Sequence, residues 1–239
     1  MSFTNSTKTI KYQDFELHYK GDISLLDKPK IAIVGTRRPS KYSKEITSKL
    51  SAKLSQKYVI VSGGAMGIDA VAHQNAKSTI MVSPSGLDVV YPKINQNLIQ
   101  DIAKNHLILS EYEPSYTPKA YSFVQRNRIV VGISEFVIIV EADEDSGSIR
   151  SFEIAKKLGK KIYTIPHRIG ESKGTNKLAN TNEMEVIWDI EQFLSDLKIT
   201  STLKEDMDYN EALRKYGDRL FEMELNQEIV VQNGKVIFK

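Results

Sequence analysis

The chain of 239 residues contains no cysteine. That absence removes disulfides, thiolate nucleophiles and every cysteine-ligated zinc or iron–sulfur site, and it suits a reducing, cytoplasmic setting. Four histidines, His18, His73, His106 and His167, are scattered without H-E-x-x-H or comparable spacing, so no metal site is expected. The opening stretch MSFTNSTKTIKYQDF has no apolar signal core. No run elsewhere approaches the ~18 apolar residues of a membrane span, so neither export by such a signal nor a membrane location is expected. Also missing are the G-x-G-x-x-G fingerprint, a P-loop Gly-Lys-Ser/Thr and a nucleophile elbow, which argues against NAD, ATP or any other cofactor and against a covalent hydrolase. Strong net charge is absent too. At +3, the total says little about a polyanionic partner, and the placement of the basic residues must carry that case.

What remains is a globular balance, 41% hydrophobic and 26% charged, enough for a sizeable core. Six short β-branched runs punctuate the chain: IAIVG (31–35), YVIVSGG (58–64), STIMVS (78–83), HLILSEY (106–112), EFVIIVEA (135–142) and KIYTIPH (161–167). Nearly continuous apolar runs suit strands covered on both faces, and the intervals carry helical spacing, as in Ile46, Leu50 and Leu54. The expected fold is therefore α/β, with a doubly wound, mostly parallel sheet. Residues 1–30 read as a polar lead-in that adds an edge strand, residues 31–198 as the main domain and residues 199–208 as a polar linker. Residues 209–239 read as a reduced winged-helix-like module, with Asn233-Gly234 as the type I′ turn of a hairpin.

In such sheets ligands lie at the carboxyl ends of the strands, and the loops there are rich in Gly, Ser and Arg. In SGGAMGIDAVAH (62–73), Ser62, Gly63, Gly64 and Gly67 precede a helix and make a phosphate cradle of backbone amides, or a tight turn without a ligand. GTRRPS places Arg37 and Arg38 at the same edge, as phosphate partners or as solvated arginines. The connection EYEPSYTPKAYSFVQRNRIVVGIS interleaves Lys119, Arg126 and Arg128 with Tyr116, Tyr121 and Phe123. Such a mixture suits single-stranded nucleic acid, since phosphates attract cations and unstacked bases seek π-faces. Phe123 is equally readable as a core residue of the helix that follows. A second small-residue junction, Ser146, Gly147 and Ser148, adds a further anion site beside the acids Glu141, Asp143, Glu144 and Asp145, read as a solvated run. Asp69 and His73, four apart, are expected to share a hydrogen bond within their helix.

Taken together, GTRRPSKYS, SGGAMGIDAVAH, SGLDVVYPKINQNLI, LSEY, SFVQRNRIVVGIS and VEADEDSGS resemble the DNA processing protein A (DprA or Smf) family over residues 30–181. The resemblance implies an extended Rossmann-like fold, a homodimer, binding of incoming single-stranded DNA in natural transformation, and delivery of that strand to the RecA recombinase. Double-stranded DNA is a further candidate partner. It assigns DNA contact to Arg37, Ser62, Gly63, Gly64, Gly67, Phe123 and Arg126. Departures from the family pattern fall at Met66, where many members have arginine, at Phe152, where alanine is usual, and in GTNKLANTN.

The strongest rival is a nucleoside monophosphate phosphoribohydrolase of a related Rossmann-like group, whose hallmark P-G-G-x-G-T-x-x-E carries a glutamate at the glycosidic bond. Aligning Gly147-Ser148 with its Gly-Thr puts Ser151 at the glutamate position, and serine cannot serve as a carboxylate acid or base. Glu153 lies two residues on, about 200° round a helix, and so points to another face. No enzymatic activity is expected.

Overall fold

A computed structural model describes residues 7–199, 207–226 and 229–238. The chain divides into two compact units, Met1–Ile199 and Thr200–Lys239. In the first unit the order is β1 (Lys8–Tyr12), β2 (Phe15–Gly21), β3 (Lys30–Val34), α1 (Lys41–Leu54), β4 (Val59–Ser62), α2 (Ile68–Gln74), β5 (Thr79–Val82) and α3 (Gln96–Asn105). There follow β6 (Leu107–Ser110), α4 (Ala120–Gly132), β7 (Val137–Ile139), α5 (Gly147–Lys157), β8 (Ile162–Thr164), α6 (Lys173–Asn180), β9 (Glu185–Val186) and α7 (Ile190–Asp196). Each of the six runs read as strands holds one, β3 to β8, and a short ninth strand joins beyond them.

These strands form one sheet in the order β1-β2-β6-β5-β4-β3-β7-β8-β9. Pairing is parallel from β6 through β9, and antiparallel only where β1 meets β2 and β2 meets β6. The lead-in contributes a two-stranded hairpin at the sheet's edge, one strand more than its sequence suggested. Alternation along β3 sorts the core into two layers. Ile31 and Ile33 pack with Leu50 and Leu54 of α1, Ile68 of α2 and Phe193 of α7. Ala32 and Val34 pack on the other face with Ile129 and Val130 of α4 and Phe152 of α5. The chain steps outward from β3 to β6, then returns through α4 to β7 on the far side of β3. The loops after β3 and β7 therefore lead in opposite directions, which opens a crevice at the carboxyl edge.

The second unit holds β10 (Met207–Asp208), α8 (Tyr209–Tyr216), α9 (Arg219–Leu225), β11 (Ile229–Gln232) and β12 (Lys235–Phe238), with strand order β10-β12-β11. It is a small antiparallel sheet with two helices around Ala212, Leu220, Met223, Ile229 and Val236. Asn233 and Gly234 have φ of 51° and 73°, as a type I′ hairpin requires. Of the stretch read as a linker, residues 200–206 lie outside the described residues, and so do residues 1–6 of the lead-in.

Helix α2 corrects one expectation. Asp69 and His73 do not bond each other, because both are buried and each is claimed by a partner outside the helix. Asp69 accepts from the Ala65 amide at 3.3 Å. His73 Nδ1 lies 2.6 Å from Thr79 Oγ1, whose own proton goes to the Ile60 carbonyl at 2.7 Å. The imidazole therefore donates from Nδ1 and keeps Nε2 as an acceptor, an atom with no partner among the described residues. Burial, helped by Arg126 and His106, pushes the His73 pKa down to about 3. Burial pushes the Asp69 carboxyl up, against the pull of Arg126.

Two expectations follow for stability. Gly21 has φ +104°, and a Cβ there would sit 2.0 Å from the His106 carbonyl oxygen, so Gly21→Ala should cost more than ~1 kcal/mol in urea unfolding by prising β2 from β6. His73 is neutral in the fold but takes a proton below 6.5 once the chain unfolds, so its contribution is whole above that pH and is lost as pH falls toward about 3. A raised Asp69 acts in the opposite sense on acidification, so the comparison needs a variant. The stability gap between wild type and His73→Asn should narrow by roughly 2 kcal/mol from pH 7 to pH 5. A gap that stays constant would show that His73 is not held neutral.

Candidate nucleic-acid interface

The crevice between the loops after β3 and β7 widens into an open cleft of ≈ 460 Å³. Three loops and α4 build it, and glycines set how closely they approach. Gly67 caps α2 with φ +81°, and a Cβ on it would lie 2.4 Å from the Thr36 carbonyl oxygen and 2.8 Å from Arg37 Cα. The Ile68 amide donates to that same carbonyl at 3.1 Å, so the arginine loop is tied to the start of α2. Gly64, with φ +72°, lies against Met81. Asn95 braces the loop from outside, donating to the Gly64 and Ala65 carbonyls at 3.1 and 3.2 Å. Ser62 turns inward, fully buried, and donates to the Ile33 carbonyl at 2.6 Å, so its hydroxyl faces the sheet and not the cleft.

Arg37 and Arg38 are exposed at the rim. The Arg37 guanidinium lies over the Phe123 ring, 5.4 Å from its centroid, and Tyr91 meets the same ring edge-on at 5.4 Å. Phe123 is half-buried and belongs to none of the hydrophobic clusters among the described residues, which disfavours the core alternative. With Gly63, Met66, Tyr91 and Arg126 it lines a narrow slot beside the main cleft. Tyr91 stands within SGLDVVYPKINQNLI, where a single tyrosine before a proline in an irregular stretch has no periodicity to mark it.

Arg126, one turn after Phe123 on α4, is only 5% exposed. It fits because position 63 has no side chain: a Cβ on Gly63 would fall 1.2 Å from Arg126 Nη1. That Nη1 donates to the Val82 carbonyl at 3.2 Å, while Nε has no partner among the described residues. Burial lowers its pKa, Asp69 opposes that shift and Arg37 adds to it. An arginine stays protonated even so, and a buried cation with an idle N–H invites an anion. Across the cleft, Ser146, Gly147 and Ser148 open α5, and the buried Ser146 hydroxyl likewise lacks a partner among the described residues.

Of the other residues singled out in the sequence, some lie outside the cleft and some line its far wall. Arg128, about 200° round α4 from Arg126, pairs with Glu111 and lies over the Phe15 ring at 5.1 Å. Lys119 is exposed at the N-cap of α4. Of the acidic run, Glu141 accepts from the Ser40 amide at 3.0 Å, Glu144 pairs with Lys177 at 2.7 Å, and Glu141 and Asp143 line one part of the cleft. Their charge turns a polyanion toward the arginine side. Ser151 lines the cleft at the position that the rival enzyme fills with glutamate, while Glu153 is exposed and pairs with Arg150 at 3.0 Å. Among the described residues no group of three His, Asp or Glu is placed to hold a metal ion, and no helix is long and apolar enough to cross a membrane.

The chain is 44% identical over 168 residues to DNA processing protein DprA of Streptococcus pneumoniae, covering 68% of this chain and 60% of that protein. It is 38% identical over 189 residues to DNA processing protein DprA of Bacillus subtilis, covering 76% of this chain and 63% of the other. It thus spans less than two thirds of either relative's length. DNA processing protein A of Helicobacter pylori, whose structure was solved for its single-stranded DNA binding mode, superposes with a TM-score of 0.78 at 43% identity over 80% of this chain and 95% of that one. The sequence profile of the family described as DNA recombination-mediator protein A matches residues 1–198, and the chain belongs to that family.

Proposed function

We propose that this protein holds single-stranded DNA in the cleft at the sheet's carboxyl edge, in the cytoplasm, as a step of natural transformation. The observation that carries this reading is Arg126, buried beside the half-buried ring of Phe123, with an Nε that has no partner among the described residues. A phosphate suits the first and an unstacked base the second. Gly63, Gly64 and Gly67 let the strand approach the backbone, Arg37 and Arg38 neutralise phosphates at the rim, and the Ser146–Gly147–Ser148 junction takes a further oxygen. Ser62 acts by holding the loop. The named single-stranded DNA binding mode of the Helicobacter pylori protein supports the same ligand.

Protection of the strand, delivery to the RecA recombinase and assembly as a homodimer belong to the same proposal and rest on family membership. No catalytic step is assigned, since the cleft offers Ser151 where a glycosidic glutamate is needed. The second unit is proposed as a partner or secondary contact. Residues 200–239 carry six Lys/Arg against eight Asp/Glu, a balance that suits protein better than a DNA backbone.

Arg37→Ala is expected to weaken oligonucleotide binding without lowering the melting temperature, and to reduce the slope of log K against log salt by ~0.7. Wild-type binding by this variant at moderate salt would put the strand elsewhere. Phe123→Ala should lose roughly five- to hundredfold in affinity, with tyrosine or tryptophan restoring it. Its unfolding free energy should change by much less than the ~3–5 kcal/mol of a core phenylalanine. A loss of that size, with binding recovered in the cold, would return Phe123 to the core.

A further inference from the structure

Outside the cleft, the loop between β6 and α4 and the first turn of α4 gather three tyrosines. The Tyr112 and Tyr116 rings stack with centroids 4.3 Å apart and planes 10° from parallel. Tyr116 donates its hydroxyl proton to Tyr121 at 2.8 Å, and Tyr112 donates to Gln125 Oε1 at 2.8 Å. The Tyr121 hydroxyl accepts there, so its own proton remains to be given. Burial, then Glu111, pushes the Tyr112 hydroxyl up to about 12. None of the three rings joins a hydrophobic cluster among the described residues, and Tyr121 is 51% exposed.

The loop is rigidly placed. Backbone bonds tie it to the segment after β5, from the Gly86 amide to the Tyr116 carbonyl and from the Asp88 amide to the Pro114 carbonyl, both 2.9 Å. Gly86 permits this, since a Cβ there would sit 2.0 Å from the Glu113 carbonyl oxygen. Exposed aromatic area fixed in this way loses little entropy when something stacks on it.

The surface between cleft and cluster is continuous. At 100° per residue on α4, Asn127, Val124 and Tyr121 lie about 40°, 100° and 160° round from Phe123. Asn127 and Val124 line the cleft, and Val124 is 47% exposed. Lys119 stands exposed nearby without an ion pair among the described residues. Of the loop's acids, Glu111 is paired with Arg128, and Glu113 lies 4.0 Å from His18.

We propose that the tyrosine cluster is a second stacking platform for single-stranded DNA: a strand held in the cleft crosses α4 at Val124 and continues onto Tyr121 and Tyr116. The placement rests on the cleft reading above. Lys119 supplies the phosphate contact at the crossing, and the aromatic faces take bases without regard to sequence.

The test uses the whole chain and oligothymidylates of about 4 and about 15 nucleotides, with anisotropy read at low salt. Tyr121→Ala and Tyr116→Ala should bind the short oligomer as wild type does and lose roughly five- to tenfold on the long one, while Tyr121→Phe keeps most of the affinity. Circular dichroism and melting temperature check that the variants fold, and Tyr121→Leu, which keeps bulk but has no π-face, serves if an alanine variant does not, with the same loss expected on the long oligomer. Unchanged binding of the long oligomer by both alanine variants overturns the platform, and so does an equal loss on both lengths, which would mean that the tyrosines merely support α4. Phe123→Ala separates the two readings. If it leaves the short oligomer unaffected while Tyr121→Ala weakens the long one, the cleft is misplaced and the platform stands as a site by itself.

Discussion

A missing side chain is the constraint on which the cleft depends. Arg126 occupies the space that a Cβ at position 63 would take, and the arginine loop passes where one at position 67 would project. Glycine at these two points lets the loops after β3 and β4 and the first turns of α4 meet within van der Waals distance, so that groups from three elements converge on one crevice. A Cβ would fall 1.2 Å from Arg126 Nη1 at position 63 and 2.4 Å from the Thr36 carbonyl oxygen at position 67, so a larger residue would force these elements apart, because close-packed interiors relax only partially.

That convergence places a buried cation where the core would otherwise exclude one. Arg126 is desolvated, is held by one carbonyl and by the field of Asp69, and carries an N–H with no partner among the described residues. Such an arrangement costs stability in the free protein and favours whatever anion completes it. Arg37 and Arg38, exposed in water, contribute attraction that salt screens. In the proposed binding mode the two kinds of arginine act differently on a strand: the rim draws it in, and the buried group fixes a phosphate against the ring of Phe123.

The acids divide the cleft. Glu141 is occupied in holding Ser40 at the start of α1, and Glu144 in pairing with Lys177, so these two serve the scaffold. Asp143 and Glu141 nonetheless leave negative charge on one wall, which narrows a polyanion's path to the side of Arg37, Phe123 and α4.

Local chemistry was enough to reveal the sheet. β-branched runs such as IAIVG and EFVIIVEA have no stable alternative to a doubly covered strand, Asn-Gly favours one turn, and glycines before a helix mark a close approach. The cleft's loops were legible for the same reason, since strand order puts them on one edge. Side-chain direction was not. Ser62 faces Ile33, Arg128 faces Glu111 and His73 takes Thr79 in preference to Asp69, because each choice depends on neighbours brought by register and helix packing from 17 to 29 residues away, or from 6 in the case of Thr79. Tyr91 reaches Phe123 only because the loops after β5 and β6 are pinned together. The sequence by itself determined which segments become strands and which loops share an edge; the tertiary structure alone decided which arginine is buried and which aromatic faces solvent, because burial is a property of the packed whole.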